Sequence, residues 1–384
     1  MDEEAYVLLL STSKIILERR YILKSSKKIV ICVLLIVVSI ISLILINKNT
    51  NKTFNYKGST IALTVDGNSA TSFPTSGKYN VTVNCNNAKG RWNPKTWKLE
   101  ITKITGTVTC DVSFNSNVSN LTTVVNNKAT RNANGKRYQG KNPNNYIWFN
   151  DELWRIIGNI PVCLTSGCAT TENRVKIIRN DSIGAIKYDE SSSTWMGSNI
   201  QNLLNICYLG KKSSCDSYCY SNATFAKGTC DYSSDGIDAT DFYGKMVEDV
   251  YFNVGAGDST YKTAANYYTQ EIATHTTSTS KIGLMHASDW GYAIEGFTGI
   301  IGNDGLSSSS ISHSSDKNWL MSNGYEWTMS AYTSSKPLGV SLGGHLADFY
   351  ALAGYSIRPV LYLKSNVYVT GGTGSKVDPY RIGI

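Results

Sequence analysis

Histidine, a common residue of hydrolase and metal sites, is sparse in this chain. Its four histidines are His275, His286, His313 and His345. None is paired at the i, i+4 spacing of a His-Glu-x-x-His zinc helix. His286 precedes Asp289 by three residues, and the two could form the base and orienting acid of a serine hydrolase. Serine is so abundant in the chain that no particular serine is indicated as the nucleophile. The sequence therefore predicts no catalytic residues, no metal ligands and no cofactor.

Three carboxylates keep an enzymatic alternative open. Asp289, Glu326 and Asp348 could supply the acid and base of a glycosidase, whose two carboxyl groups stand about 5.5 Å or about 6.5 to 9.5 Å apart. Sequence spacing does not measure such a separation. An extracellular enzyme acting on the cell wall through a carboxylate site is accordingly the alternative function.

Aromatic side chains are the most frequent candidates for ligand contact. The chain has 24 Tyr, 8 Trp and 9 Phe, many beside Ser, Asn or Gly. Amphipathic rings suit ligand surfaces because little side-chain entropy is lost when they are ordered. The segment from Trp319 to Tyr355 combines such rings with loop formers, and the predicted ligand-binding residues are Tyr325, Trp327, Tyr332, His345, Asp348 and Tyr350. The alternative is that Trp327 and Phe349 belong to the core.

Eight cysteines follow the apolar stretch near the N-terminus, an even number that favours disulfides in an oxidising compartment. Cys85 and Cys110 fall in the apolar register of two strands, which predicts a bond between them across a small sandwich. The spacing of Cys163 and Cys168 suits a local hairpin-tip bond. Pairing among the other four stays open: Cys207, Cys215, Cys219 and Cys230. Zinc on Cys215 and Cys219 is disfavoured because no second tight pair follows.

Residues 29–46 are eighteen uncharged positions, enough for a helix of about 27 Å, which is close to the hydrocarbon thickness of a bilayer. A cleaved signal peptide is the alternative, but no small-x-small site follows. Lys27 and Lys28 lie directly before this run, so residues 1–28 are predicted to be cytoplasmic and the C-terminal portion extracellular. The net charge of +8 contains no block of like charge, so no nucleic-acid partner is predicted.

The elements that would position these residues are mainly β. Period-two runs predict a small β-sandwich-like domain at 57–114, followed by a linker at 115–137 that contains the domain boundary. Later strands are predicted around Tyr146, Leu153, Val175, Lys281, Tyr325, Leu338 and Ile357–Lys364. One helix is predicted from a Ser198 cap to Gly210 and another over Thr240–Phe252, and residues 371–384 read as a turn-rich tail.

The order of several short motifs resembles a group of membrane-anchored surface proteins of gut Firmicutes and related Bacilli. The motifs are Leu153-Trp-Arg-Ile-Ile-Gly, Val175-Lys-Ile-Ile-Arg, Ser288-Asp-Trp-Gly-Tyr-Ala, Glu326-Trp-Thr-Met-Ser and Ile357-Arg-Pro-Val-Leu-Tyr-Leu. That group resembles the C-type-lectin-like fold shared with formylglycine-generating enzymes. The resemblance implies an α+β ligand-binding domain at 138–370 whose C-terminal sheet presents the ligand face.

The chain departs from the functional motifs of both relatives. It lacks the Glu-Pro-Asn and Trp-Asn-Asp strings of calcium-dependent lectins, and it has no cysteine after Cys230 for a copper oxidase site. The predicted function is therefore a non-enzymatic cell-surface binding protein or adhesin that recognises a glycan, a cell-wall component or a protein. A structural surface protein without a dedicated ligand remains a third hypothesis.

Overall fold

The computed structural model describes residues 60–384 except 191, 216, 220–223, 226–228, 256, 274–275, 303–316 and 323. It is mainly β, as predicted, and divides into two units, Met1–Val118 and Ser119–Ile384. No helix among the described residues is long and apolar enough to cross a membrane. The predicted cytoplasmic segment at 1–28 and the predicted span at 29–46 lie outside the described residues.

The described part of the first unit contains six strands: β1 (Thr60–Val65), β2 (Asn68–Ser69), β3 (Asn80–Cys85), β4 (Lys89–Asn93), β5 (Lys98–Thr102) and β6 (Thr109–Asn115). Four form a sheet in the order β2-β1-β6-β3, and β4 pairs with β5. In β6 the alternate residues Cys110, Val112 and Phe114 are buried, as the period-two pattern predicts. They pack with Trp92 and Val81 in the core of this unit.

The Cys85–Cys110 disulfide is present, but it does not cross a sandwich. β3 and β6 are antiparallel neighbours in one sheet, and Cys85 lies directly opposite Cys110 in their register. The predicted pairing is confirmed, whereas the predicted placement across two sheets is wrong. Sequence alternation shows which face a residue is on but not which strand is its neighbour.

The predicted linker at 115–137 is largely ordered secondary structure. After the end of β6 it contains β7 (Ser119–Asn120), helix α1 (Leu121–Lys128), β8 (Arg131–Asn132) and β9 (Lys136–Arg137). Asn120 caps α1 by accepting a hydrogen bond of 2.8 Å from the Thr122 amide. Only Leu121 and Val125 of this helix are buried, which is too little apolar periodicity to stand out in an Asn-rich stretch.

Fourteen further strands are described in the second unit: β10 (Tyr146–Phe149), β11 (Glu152–Cys163), β12 (Thr171–Arg179), β13 (Gly184–Lys187), β14 (Thr224–Phe225), β15 (Val250–Asn253), β16 (Thr277–Ser280), β17 (Glu326–Ala331), β18 (Pro337–Val340), β19 (Leu346–Asp348), β20 (Gly354–Ile357), β21 (Val360–Leu363), β22 (Tyr368–Gly371) and β23 (Arg381–Gly383). An eight-stranded sheet runs β16-β15-β11-β12-β21 with β8, β9 and β10 attached, and a six-stranded sheet runs β14-β13-β20-β17-β18-β19. The third sheet has the order β23-β22-β7. Within the described residues, one continuous hydrophobic core lies among these sheets.

The helix predicted after Ser198 is confirmed. Helix α2 (Asn199–Asn202) continues as a π-helical segment, Leu203–Tyr208, and the Ser198 side chain accepts a hydrogen bond of 3.2 Å from the Gln201 amide. Ile200, Leu203, Leu204 and Cys207 are buried, as their spacing predicts. The described residues also contain helices α3 (Ala264–Ala273) and α4 (Ala287–Tyr292), with short 3-10 turns at Ser166–Cys168 and Gly244–Met246.

The helix predicted over Thr240–Phe252 is wrong. The Asp241 carboxylate accepts a hydrogen bond of 2.7 Å from the Gly244 amide and stabilises a single 3-10 turn, after which Val247 becomes extended. The chain then enters β15 and pairs with β16. A short turn followed by a strand produces nearly the same apolar spacing as a helix, which explains the misassignment.

Two C-terminal predictions also change. The strand predicted over Ile357–Lys364 is split at Arg358-Pro359 into β20 and β21, which belong to different sheets, because Pro359 has no amide to donate to a ladder. Residues 371–384 contain a turn in which the Asp378 carbonyl accepts from the Thr373 and Gly374 amides, as the turn-rich sequence predicts. They are also packed, since Tyr380 and Ile382 are buried and β23 pairs with β22. The strand predicted around Lys281 is also wrong, because that segment makes only an isolated bridge between Gly283 and Val360.

The remaining cysteines are paired as Cys163–Cys168, Cys207–Cys215 and Cys219–Cys230. The first pair confirms the predicted local bond. The other two resolve the pairing that the sequence leaves open, and all eight predicted disulfide cysteines are bonded.

Candidate functional site

The six-stranded sheet positions most of the predicted ligand-binding residues. β18 and β19 are antiparallel, with Leu338 opposite Asp348, and the Phe349 amide donates to the Pro337 carbonyl at 3.1 Å. This register carries Asp348 alongside the start of β18, where Lys336 stands. Two residues that are twelve positions apart in the sequence therefore meet at the strand ends.

Asp348 is the centre of a surface group that we call the Asp348 cluster: Tyr261, Tyr332, Lys336, Asp348 and Tyr350. One carboxylate oxygen of Asp348 accepts a hydrogen bond of 2.6 Å from the Tyr261 hydroxyl, and the other accepts one of 2.6 Å from Lys336 Nζ. Partial burial of Asp348 would raise the pKa of its carboxyl, but the hydrogen bonds from Lys336 and Tyr261 outweigh burial and lower it. The carboxylate is thus ionised and held in one orientation.

The rings of the Asp348 cluster are ordered by contacts with one another and with Lys336. Tyr332 stacks on Tyr261 with ring centroids 4.8 Å apart. Lys336 Nζ lies 5.3 Å from the centre of the Tyr350 ring, within the range of a cation–π interaction. Tyr350 is nevertheless 72 % exposed. The cluster therefore presents one open aromatic face beside a fixed carboxylate and ammonium.

A second aromatic group lies on the same sheet and consists of Tyr325, Trp327, Phe349 and Tyr355. Tyr325 stacks on Tyr355 at 4.8 Å, and Phe349 meets Tyr355 edge-on at 4.7 Å. Phe349 stands between Asp348 and Tyr350 in the chain, so it links this group to the Asp348 cluster. Exposed Tyr325, Tyr350 and Leu352 give this side of the sheet an apolar surface.

The structure places the six predicted ligand-binding residues in different environments. Tyr332, Asp348 and Tyr350 come together in the Asp348 cluster, and Tyr325 is exposed in the neighbouring aromatic group. His345 is half-buried in the turn between β18 and β19, where its carbonyl accepts a hydrogen bond of 2.9 Å from the Ser341 amide.

Trp327 does not belong to an accessible surface. It is 0 % exposed, and its indole nitrogen donates a hydrogen bond of 2.9 Å to the Ile186 carbonyl. The prediction that it contacts a ligand is therefore wrong, and the core alternative is correct for this residue. Its polar atom is satisfied inside the protein, as expected for a structural tryptophan.

The carboxylates of the enzymatic alternative are each held by a cation. Glu326 is buried and receives hydrogen bonds of 2.7 and 2.9 Å from two nitrogens of Arg358. Burial alone would raise the pKa of Asp289, but Lys176, a hydrogen bond from His286 and Arg137 hold it well below its usual range. A glycosidase acid needs a raised pKa. The lowered pKa values of Asp289 and Asp348 are the opposite of that requirement.

Ser341 lies in Gly339-Val-Ser-Leu-Gly343, a string that matches the Gly-x-Ser-x-Gly pattern of hydrolases. In those enzymes the serine sits on a sharp strand-to-helix turn. Ser341 is instead buried in the turn that joins β18 to β19, and its hydroxyl oxygen accepts a hydrogen bond of 3.5 Å from the His345 amide. The local structure is that of a strand-to-strand turn and not of a nucleophile elbow.

A buried polar group lies between β12 and α4, and we call it the Asp289 cluster: Arg137, Lys176, His286 and Asp289. Arg137 Nη1 is 2.7 Å from one oxygen of Asp289, and Lys176 Nζ is 2.5 Å from the other. His286 is the N-cap residue of α4, and its backbone amide donates a hydrogen bond of 2.9 Å to Asp289 Oδ2. A narrow cleft nearby is lined by Glu271, His286, Tyr267 and Ser330 among others.

Glu271 in this cleft is already occupied by protein donors. Its carboxylate accepts hydrogen bonds from the Ser288 amide at 3.1 Å, the Ser288 hydroxyl at 2.5 Å and the Ser330 hydroxyl at 2.9 Å. Such an arrangement ties α3, α4 and β17 together. No group of three or more His, Cys, Asp or Glu residues in the described part of the chain is arranged to hold a metal ion.

Sequence reasoning missed Tyr261, Lys336 and Tyr355. Tyr261 stands 87 positions before Asp348, in a segment without strand or helix periodicity, so no local pattern indicates their contact. Lys336 had a detectable signal, because it lies just before a predicted strand in the same segment as Asp348. No family model, no curated protein and no solved structure matches this chain.

Proposed function

We propose that this chain is a non-enzymatic binding protein of a bacterial cell surface, which recognises a glycan, a cell-wall component or a protein through the Asp348 cluster and the adjoining Tyr325. The observation that carries the proposal is the Asp348 carboxylate, which holds Tyr261 and Lys336 at 2.6 Å each beside the exposed ring of Tyr350. Aromatic faces combined with fixed polar groups are the usual composition of ligand surfaces.

A glycan suits this combination best. A sugar ring offers an apolar face of C–H groups, which packs against a tyrosine ring, and hydroxyl groups, which bond to charged side chains. Tyr350 supplies the exposed ring, Lys336 lies over one face of that ring as a donor, and Asp348 is bound to Lys336 as an acceptor. Because the Asp348 cluster is internally bonded before any ligand arrives, little entropy is lost on binding.

The finer assignment of the second unit, a C-type-lectin-like domain over residues 138–370, belongs to this proposal. Its support is the six-stranded sheet that carries the candidate surface at its β17, β18 and β19 side, together with short helices packed on a mixed-strand core. The assignment of the first unit as a β-sandwich-like domain is likewise proposed, on the basis of its four-stranded and two-stranded sheets.

The location is also part of the proposal: a single membrane span at residues 29–46, with the N-terminus in the cytoplasm and both described units outside. Four disulfides among the described residues support it, since such bonds persist in oxidising compartments. A protease added to intact cells should therefore cleave a C-terminal tag.

A glycan array probed with the purified full chain tests the function. We expect binding to a restricted set of glycans, and Tyr350→Ala should abolish that pattern. Val377→Ala is the matched control, because Val377 is 74 % exposed but lies between β22 and β23 in another sheet. Equal binding by wild type and Tyr350→Ala would contradict the proposed surface, and turnover of peptidoglycan would favour the enzymatic alternative.

A further inference from the structure

Lys176 has an unusual position for a lysine. It lies in the middle of β12, in a run of five buried residues from Arg174 to Ile178, and its side chain is 1 % exposed. A buried ammonium is costly, so burial lowers the pKa of Lys176 although Asp289 opposes that shift. Burial thus favours the neutral amine of Lys176, while the ion pair with Asp289 favours the ammonium.

Asp289, the ion-pair partner of Lys176, has its carboxyl group within reach of the lysine nitrogen and held in place by other donors. Lys176 Nζ lies 2.5 Å from Asp289 Oδ2, and Asp289 is 2 % exposed. The Arg137 guanidinium donates to Oδ1 at 2.7 Å, and the His286 amide donates to Oδ2 at 2.9 Å. These donors withdraw electron density from the carboxyl carbon and stabilise the negative charge that develops on oxygen when a nucleophile attacks.

His286 is placed to move a proton in this group. Its Nε2 lies 2.7 Å from the Asn253 carbonyl, which can only accept, so the ring proton is on Nε2. Nδ1 lies 2.9 Å from Lys176 Nζ, and since an ammonium can only donate, Nδ1 is the acceptor in this contact. An acceptor at that position can take a proton from the lysine nitrogen as its lone pair is used.

We propose that Lys176 and Asp289 become joined by an intramolecular amide bond between Nζ and Cγ, which makes this pair a self-modification site that staples β12 to α4. One ammonium proton passes to Oδ2, and the nitrogen lone pair attacks Cγ. A second nitrogen proton passes through His286 Nδ1 to the leaving hydroxyl, and the Cγ–Oδ2 bond breaks. One N–C bond forms, one C–O bond breaks, one water leaves and no atom changes oxidation state.

The product fits the same surroundings. The remaining Oδ1 becomes an amide carbonyl that keeps its hydrogen bond from Arg137, and the amide N–H donates to His286 Nδ1. A buried pair of opposite charges is replaced by a neutral group, which removes their desolvation cost. The released water leaves through the narrow cleft that His286 lines.

The chain contains its own control pair. Lys336 and Asp348 are also a lysine and an aspartate, with Nζ and Oδ2 2.6 Å apart, but their side chains are 37 % and 23 % exposed. Both charged groups of this pair are reached by water. The hydrogen bonds described for the pair include no histidine that could accept a proton from Lys336, whereas His286 has that role for Lys176. We expect no amide between Lys336 and Asp348.

Mass spectrometry of tryptic peptides from the reduced and alkylated full chain tests the proposal. An amide at Lys176 blocks cleavage there, so peptide 175–179 should be found joined to peptide 282–317, at their summed mass less one water, about 18 Da. The control pair lies within a single peptide, 318–364, because prolines follow Lys336 and Arg358, and that peptide should keep its full mass.

The Lys176→Arg variant keeps a cation but cannot form this amide, and it should release 282–317 as a separate peptide. Recovery of 282–317 at its full mass from the wild-type chain, with Lys176 cleaved, would overturn the proposal. A branched peptide in the wild type that persists in the variant would overturn it equally, since the link would then lie elsewhere. The result does not depend on ligand binding, so it is separate from the test of the proposed function.

Discussion

Tyr261 donates a hydrogen bond of 2.6 Å to Asp348, a residue 87 positions later, and so connects the loop before α3 to the edge of the six-stranded sheet. The same carboxylate receives Lys336. Because both partners stabilise the ionised form, the folded pKa of Asp348 lies below its unfolded value. Its contribution to stability is therefore present above the unfolded pKa, near pH 4, and is lost as the pH falls through the folded value.

Tyr261→Phe removes one of these two donors but keeps the ring that stacks on Tyr332. We expect the pKa of Asp348 to rise towards that of an ordinary aspartate, and the free energy of unfolding to fall by about 1 kcal/mol, the usual value of one hydrogen bond. An NMR titration of the Asp348 carboxyl carbon measures the first quantity, and urea unfolding measures the second. An unchanged Asp348 titration in the variant would show that the Tyr261 contact is absent in solution.

Trp327 and Tyr350 should respond in opposite ways to truncation. Trp327→Ala creates a cavity in the core and should lower the free energy of unfolding by about 3 to 5 kcal/mol. Tyr350→Ala removes an exposed ring and should change stability by less than about 0.5 kcal/mol. Chemical denaturation of both variants tests this contrast, and a strongly destabilised Tyr350→Ala would mean that Tyr350 is packed rather than displayed.

The buried pair of Glu326 and Arg358 supports the sheet beneath the candidate surface. Glu326→Gln leaves the buried guanidinium without its charge partner and should cost about 3 to 5 kcal/mol. Replacing both residues together, as Glu326→Leu with Arg358→Met, should cost much less, because no unpaired charge remains. A double-mutant cycle measures the difference; additive effects of the two single changes would contradict a direct pair.

The eight cysteines after residue 60 should contain no free thiol in the oxidised protein. Peptide mapping without reduction should find Cys207 joined to Cys215 and Cys219 joined to Cys230. Removing a native disulfide by a double Cys→Ser change should lower stability by about 2 to 5 kcal/mol. Detection of reduced Cys85, or of stoichiometric zinc on Cys215 and Cys219, would refute this framework.

Strands were predictable where apolar residues alternate, as in β3 and β6, or form a buried run, as in β12 and β21. Helix α1 could not be predicted from the sequence, because its only buried residues are Leu121 and Val125. The order of strands in the sheets could not be predicted either. Cys85 lies opposite Cys110 because β3 and β6 are neighbours, and alternation within each strand does not show which strands are adjacent.

The candidate site was predictable only where its residues share one segment. Asp348 and Tyr350 stand among loop formers and aromatic residues, and that composition marks a surface. Tyr261 reaches Asp348 through tertiary structure, and Lys176 meets Asp289 across 113 positions. Such contacts are consequences of packing and leave no local pattern in the sequence. Trp327 and Tyr325 are two positions apart, so strand alternation does not separate them. The burial of Trp327 comes from packing against Tyr188, Phe349 and Tyr355, which the sequence does not show.

The most direct test of the proposed function is the affinity of the quadruple variant in which Tyr332, His345, Asp348 and Tyr350 are all replaced by alanine. Calorimetry with the strongest glycan from the array should show wild-type binding and a loss of at least about 2 kcal/mol in the variant, as for hot-spot residues. Because the variant also loses the hydrogen bonds of Asp348 and the stacking of Tyr332 on Tyr261, its melting temperature should fall, so circular dichroism at the binding temperature must show that it is folded. Full retention of binding by a well-folded quadruple variant would contradict the assignment of this surface.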